Sequence, residues 1–225
     1  MDRLELRTTR ANDTKSFSLM MAARIFSLLP EDVSFVYGSL YVFRRECATL
    51  YAPDFDAVED TGFGQAMADA GKRIIFVRDL EVVHLKPYTL VGFVRNDFNV
   101  PFCWSRLFLR RHGWRRVFRG NTGFAHSPKI QLASLAVAVL TVLLALSWFL
   151  GWLTVLPLFC AFLVWALLNV RFTAYLLREA GVAFALASIS VTYIDNLVMT
   201  FGIACGLLVE LRDLIAPEAP GMDGK

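Results

Sequence analysis

The longest apolar run of the chain lies in its second half and predicts membrane-spanning helices. No charged residue occurs from Ile130 to Val170, a stretch about twice the ~20 residues that a helix needs to cross a bilayer. Gly151 and Trp152 divide this run, which predicts a helical hairpin over 130–150 and 152–170. A further apolar stretch predicts a third span over 182–209, with Asp195 in its middle. Because a carboxyl group at that depth is costly, we expect Asp195 to face protein and to hydrogen-bond between spans.

The segment before these spans alternates apolar and basic residues. Pro101 to Arg119 mixes aromatic and aliphatic side chains with six arginines, a pattern typical of a helix in the lipid headgroup layer. A soluble helix with a basic face is the alternative, but the apolar runs downstream favour the membrane. Arginines occur before the first span and in the loop between the second and third spans. By the positive-inside rule they predict a multi-pass protein of a cell inner membrane, with its soluble part in the cytoplasm.

Shorter patterns in the first half predict alternating strands and helices. An aromatic and β-branched run over 33–43 contains Gly38 and stops at the basic pair that begins with Arg44. Glu59 and Asp60 open a helix closed by Gly71. Two short apolar runs, over 74–77 and 81–83, then lead to His84. This order predicts an α/β unit ahead of the membrane region.

Composition and charge agree with a membrane protein. Apolar residues make up 56% of the 225 residues, which is high for a soluble domain. No acidic residue lies between Asp97 and Glu179, and the arginines of that interval suit a membrane surface or phosphate groups. No nucleic-acid motif accompanies them, so nucleic acid is not an expected partner. The four cysteines show no metal-binding spacing and are expected to be small buried residues.

The stretch GSLYVFRR, the acidic pair Glu59-Asp60 and the strand leading to His84 resemble the acceptor half of an inverting family 2 glycosyltransferase of the GT-A fold. The resemblance implies a partial α/β GT-A domain over 1–98, without its donor-binding half. A basic interfacial region over 99–127, three transmembrane helices within 128–215 and a tail over 216–225 would follow. The implied activity is transfer of a sugar, with inversion, from a nucleotide-diphosphate donor to a hydroxyl or polyprenyl-linked acceptor among membrane lipids.

The resemblance also implies roles for particular residues. Asp60 would be the general base that accepts the acceptor proton, and Glu59 would support it. The implied site is completed by substrate-binding and metal-binding residues: Gly38, Ser39, Arg44 and Arg95 for substrate, and His84 for a divalent cation, Mn²⁺ or Mg²⁺. Lys86 and Arg106 are further cations that could face phosphates.

Plainer interpretations stay open for the same residues. Acids are favoured in the first turn of any helix by its dipole, so the acidic pair also fits a helix terminus. Gly38 also fits a strand kink, and a single histidine after a strand also fits a structural role. The alternative function is therefore that of a non-catalytic membrane subunit or scaffold, which retains only the residues that surround the acceptor side of the enzyme.

The chain departs from the family pattern on the donor side. Its D-x-D sequence, Asp54-Phe55-Asp56, stands just before the acidic pair rather than after a donor-side strand. We therefore expect a C-terminal portion of a longer enzyme or a truncated product, with most cation ligands supplied by the missing half. The window 92–96 keeps only Arg95 of the QxxRW motif of processive members, which favours single-sugar transfer.

Overall fold

The computed structural model describes residues 7–8, 31–36, 41–50, 58–77, 81–82, 89–115 and 129–215. Helices dominate this part of the chain. They are α1 (Glu59–Asp69), α2 (Leu90–Arg110), α3 (Lys129–Phe149), α4 (Val155–Leu168), α5 (Val170–Ala180) and α6 (Val182–Ile215), with a 3-10 helix over Arg45–Leu50. The strands are β1 (Arg7–Thr8), β2 (Asp32–Val33), β3 (Ile74–Ile75) and β4 (Glu81–Val82).

The predicted α/β GT-A domain is wrong, because the described strands form no sheet layer. β1 pairs with β4 in parallel and β2 with β3 antiparallel, each over two residue pairs. The predicted strand before Arg44 is irregular over residues 41–44 and leads into the 3-10 helix. Its rings pack on a helix instead, since Tyr41 and Phe43 both contact the ring of Phe63 in α1. A short apolar run therefore packs partly on a helix here instead of forming a ladder, and Val42 and Phe43 stay exposed. Periodicity alone does not make this distinction.

The β2–β3 pair carries one exposed ion pair across it. The Arg73 guanidinium donates two hydrogen bonds to the Asp32 carboxylate, the second at 3.1 Å. These bonds to its charged form hold the pKa of Asp32 below its usual value. Because both side chains are exposed, we assign this pair a role in local register rather than in stability.

α1 is packed on one side against residues 34–36. Phe63 is fully buried, and Gly64 lies so close to the Phe35 backbone that a Cβ atom would collide with it. The side-chain amide of Gln65 donates to the Ser34 carbonyl at 2.5 Å. These contacts require a glycine at position 64 and fix one face of α1.

α2 and α6 run parallel and make the closest helix contact among the described residues. Gly202 lies against the Phe98 carbonyl and Gly206 against the Phe102 carbonyl, both too close for a Cβ atom. The next residue in this register, Arg106, binds Glu210 at 2.9 Å. The glycine spacing is a GxxxG pattern, which lets two helix backbones approach closely.

Glu210 is the centre of an ion-pair cluster at the end of this contact. It is 2% exposed and accepts from Arg106 and from Arg110, at 2.9 Å and 2.5 Å. Arg106 also donates to Asp213 at 3.1 Å. Two arginines one turn apart on α2 therefore face two carboxylates one turn apart on α6.

Polar side chains join the remaining helices to α6. Ser134 on α3 accepts from the side-chain amides of Asn169, between α4 and α5, and Asn196 on α6, both at 2.7 Å. The Tyr193 hydroxyl on α6 lies 2.5 Å from the hydroxyl of Thr141 on α3. Hydrogen bonds inside an apolar bundle are the expected means of fixing helix pairs where lipid competes with apolar packing.

The structure supports the predicted membrane association. Two helices, Lys129–Phe149 and Val182–Ile215, are long and apolar enough to cross a bilayer. α4 and α5 are bent by 58° at Asn169 and make a third span if they are counted as one broken helix. Many apolar side chains of this region are exposed, including Leu143, Leu156, Phe159 and Leu167, as expected for surfaces that contact lipid.

The close α2–α6 contact predicts different outcomes for two glycine-to-alanine changes. Gly206→Ala should lower the free energy of unfolding by about 1–3 kcal/mol, because the new methyl group overpacks a backbone contact. Gly62→Ala in α1 is the matched control, since its Cβ would meet only Leu107 at 3.9 Å. It should be neutral or stabilising by up to about 1 kcal/mol. Thermal melting in one detergent compares them, and equal stability of the two variants would contradict the close contact.

The ion-pair cluster predicts that Glu210→Gln is destabilising by about 1–3 kcal/mol. This is less than the 3–5 kcal/mol for breaking a fully buried pair, because both arginines retain some solvent contact. Glu179→Gln, at an exposed position on α5, should change stability by less than about 0.5 kcal/mol. Chemical unfolding in mixed micelles measures both, and a neutral Glu210→Gln would show that the cluster adds nothing.

Candidate functional site

The acidic pair that the sequence singles out opens α1. Val58 precedes the helix, and Glu59 and Asp60 form its first turn with half-buried side chains. One carboxylate oxygen of Asp60 accepts from the Thr61 backbone N–H at 2.5 Å. Unpaired N–H groups and the helix dipole favour negative charge at this end. The geometry therefore fits a helix terminus, and a carboxylate at this position also fits the general base implied by the resemblance.

Val58 fixes this end of α1 on α2. Its side chain is 3% exposed and packs on Leu107, within a cluster completed by Cys103, Trp104 and Phe108. At the other end of α1, Asp69 pairs with Arg111 at 3.5 Å. Both ends of α1 are thus attached to the C-terminal half of α2, and the acidic pair moves with that helix.

This half of α2 is attached in turn to the charged end of α6. Leu107 follows Arg106, which binds Glu210 and Asp213 near the end of α6. With 34 residues, α6 is about 50 Å long, well beyond the ~30 Å hydrocarbon layer. Its charges beyond Asp195 are confined to the last turns, so that end is the one that leaves the apolar layer. Through α2, the acidic pair is therefore tied to the charged end of α6.

Aromatic and basic side chains also lie at the end of α2. His112 adopts a left-handed backbone conformation, with φ 50°, just after the helix. The Arg115 guanidinium lies over the Trp114 ring at 5.0 Å, and Trp114 is exposed. Tryptophan and arginine are the side chains that prefer the interface between lipid and water.

Both predicted substrate-binding arginines lie among the described residues. Arg44 is exposed and follows Phe43, whose ring contacts Phe63 edge-on at 5.0 Å, so its segment lies against α1. Arg95 is exposed on α2, about 18 Å along the helix from Leu107. Arg44 thus comes from a segment next to the acidic pair, whereas Arg95 comes from the far half of α2. Their roles toward a substrate stay predictions.

The other predicted site residues, Gly38, Ser39 and His84, lie outside the described residues, as do Lys86, Asp54 and Asp56. Within the described ranges, no three His, Cys, Asp or Glu side chains come close enough together to hold a metal ion. The divalent cation therefore stays a prediction from the resemblance.

Sequence reasoning missed the partners of the α2 arginines. It assigned Arg106 to phosphate and the neighbouring arginines to lipid headgroups, but Arg106 and Arg110 bind Glu210. The sequence did contain a signal. Arg106 and Arg110 are spaced i, i+4 before the spans, and Glu210 and Asp213 are spaced i, i+3 at the end of the last span. The two pairs have complementary spacing, although nothing in the sequence shows that the helices meet.

Comparisons of the chain with protein-family models, with curated proteins and with solved structures returned no match.

Proposed function

We propose that the chain is the membrane-anchored, acceptor-side part of an inverting glycosyltransferase that uses a nucleotide-diphosphate sugar. The observation that supports the proposal is the packing of Val58 on Leu107, which ties Glu59 and Asp60 to α2 and so to the charged end of α6. If that end leaves the bilayer, the acidic pair would lie beside the membrane boundary. An acceptor hydroxyl on a polyprenyl-linked lipid is presented at that same level. The membrane helices would therefore hold the catalytic carboxylate within reach of an acceptor that does not leave the bilayer.

The proposed reaction is a single displacement. The acceptor oxygen forms a bond to the anomeric carbon while the bond from that carbon to the nucleoside diphosphate breaks. Asp60 accepts the hydroxyl proton, and Glu59 supports the loop or the acceptor. The segment that carries Arg44 lies against α1 and could bring positive charge to the acceptor side of the site. The nucleotide sugar would be bound by a separate donor-binding half. A divalent cation held mainly by that half would neutralise the charge of the diphosphate.

Supplying a donor-binding half tests the proposal. A donor half with a D-x-D motif is joined in frame ahead of the chain, and the fusion is assayed in nanodiscs with UDP- and GDP-sugars and with a polyprenyl-diphosphate-linked sugar, whose hydroxyl groups are the acceptors. We expect transfer from the fusion and no turnover from the chain alone. Absence of transfer with every donor, together with stable binding to a separate glycosyltransferase, would favour the non-catalytic subunit instead.

Within an active fusion, Asp60→Asn should lower kcat by about 100-fold or more while leaving donor affinity unchanged, because a positioned base is lost. Asp69→Asn is the matched control, since it removes a carboxylate from the other end of the same helix, where Asp69 pairs with Arg111 at 3.5 Å near the surface. An unchanged rate in Asp60→Asn would leave Asp60 as a helix terminus. Loss of donor affinity would place it in the donor or metal site.

A further inference from the structure

α6 separates its buried polar side chains from an exposed apolar face. Asp195, Asn196 and Glu210 are buried, and the last two bond to α3 and to α2. The expected burial of Asp195 is thus confirmed. Within the described residues neither of its carboxylate oxygens has a hydrogen-bond partner, so the bond expected to join it to another span is not found there. The apolar face lies on the other side of the helix.

The apolar face of α6 follows a seven-residue repeat. Its residues occupy the a and d positions of three consecutive heptads, which is the length at which such a repeat indicates a coiled coil. Six of the seven side chains are exposed, and the seventh, Leu197, is half-buried. We call the seven residues the α6 seam: Ile194, Leu197, Phe201, Ala204, Leu208, Leu211 and Ile215.

Lipid explains an exposed apolar face only where the helix lies in the bilayer. α6 is about 50 Å long, whereas the hydrocarbon layer is ~30 Å thick. Its last two turns carry Glu210, Arg212 and Asp213, and charged side chains are costly in hydrocarbon. In these same turns Leu211 and Ile215 are 45% and 82% exposed. A protein surface is therefore the cover that suits the whole length of the α6 seam.

The regular spacing of the α6 seam indicates that this cover is another helix. Lipid chains impose no register on the side chains that they contact. On a straight α-helix, a seven-residue repeat drifts by ~20° per heptad, so it stays on one line of contact only when two helices supercoil left-handedly. Left-handed packing with a crossing angle near +20° is also the common arrangement of membrane helices.

We propose that the α6 seam is the interface of a parallel homodimer, in which α6 packs against α6 of a second copy of the chain. Two copies inserted in the membrane in the same direction are parallel, and a two-fold axis along the membrane normal makes the α6 seam face itself. The seam is about 32 Å long between Ile194 and Ile215. Both helices then present the same heptads in the same register, as knobs-into-holes packing requires.

The residues that flank the α6 seam would not repel a second copy. The e and g positions hold a single charged side chain, that of Arg212, and its guanidinium donates to Asp213 of its own chain at 2.8 Å. In a parallel pair, e positions face g positions, so the two copies of Arg212 do not meet. The flanking residues are Val198, Thr200, Cys205, Leu207, Arg212 and Leu214.

The homodimer is compatible with the contact between α2 and α6. Gly202 and Gly206, which touch α2, lie on a different face of α6 from the seam. Phe201 borders both surfaces, since its ring is 5.7 Å from the ring of Phe98 and is still 64% exposed. Because α2 carries α1, the homodimer would place two acidic pairs on the same side of the membrane. The homodimer itself does not depend on the proposed transferase activity.

A cysteine scan of α6 tests the proposed homodimer. Single cysteines are introduced into the full chain with its native cysteines replaced by alanine, and the protein is oxidised in vesicles at a high ratio of lipid to protein. Cysteines at Leu208, Leu211 and Ile215 should form cross-linked dimers, whereas one at Val209, off the seam, should not. Leu143→Cys is the matched control, since this apolar side chain of α3 is 55% exposed but lies outside the seam.

Energy transfer between donor-labelled and acceptor-labelled copies in the same vesicles measures the association without a cross-link. Leu211→Glu should raise the dissociation constant of the dimer by at least about tenfold, because like charges would face each other across the two-fold axis. Since Leu211 is exposed in the single chain, this change leaves its core intact. Arg212→Gln, beside the seam, should leave the energy transfer unchanged.

Three results would overturn the proposed homodimer. The first is wild-type energy transfer no greater than that of randomly mixed membrane proteins. The second is cross-linking that ignores the heptad, with Val209→Cys or Leu143→Cys linked as readily as Leu208→Cys, or no cross-linking at the seam at all. The third is a Leu211→Glu variant whose energy transfer equals that of the wild type, because lipid rather than a second copy would then cover the α6 seam.

Discussion

The parallel contact of α2 with α6 is the interaction on which the rest of the described structure depends. It has two successive parts: backbone contact at the two glycines and the ion pairs of Glu210. The glycine part excludes any larger side chain, and the other part is charged. Steric fit therefore fixes how closely the helices approach, and the charges fix their register.

The acidic pair acquires its position from this contact. α1 is attached through Val58 to α2, and α2 is attached to α6. α1 is thus held near the charged end of α6 by a helix that is itself too polar to be an independent span. Such an arrangement suits chemistry on a substrate anchored in the bilayer, because the site and the acceptor then meet by diffusion in the plane of the membrane rather than in three dimensions.

The membrane helices were predictable from sequence because their signal is long and uniform. An uncharged run such as Ile130 to Val170 has few alternatives in water. The GT-A expectation failed for the opposite reason: it depended on short apolar runs, and in the described residues these pair over two residues at most or, as over 41–44, do not pair at all. Glu59 and Asp60 were located at a helix start by their order in the chain. Their attachment to α2, and the pairing of Arg106 with Glu210, join residues far apart in sequence that no local pattern connects.

Disulfide cross-linking measures the α2–α6 contact most directly. The rings of Phe98 and Phe201 are 5.7 Å apart, so cysteines at these two positions should cross-link rapidly in a chain whose native cysteines are replaced by alanine. A protease site inserted within residues 116–128 allows the link to be seen as two fragments held together on a gel. Cysteines at 98 and at the exposed position Leu186, about 22 Å further back along α6, should not cross-link. Efficient linkage of 98 to 186, or none of 98 to 201, would contradict the account.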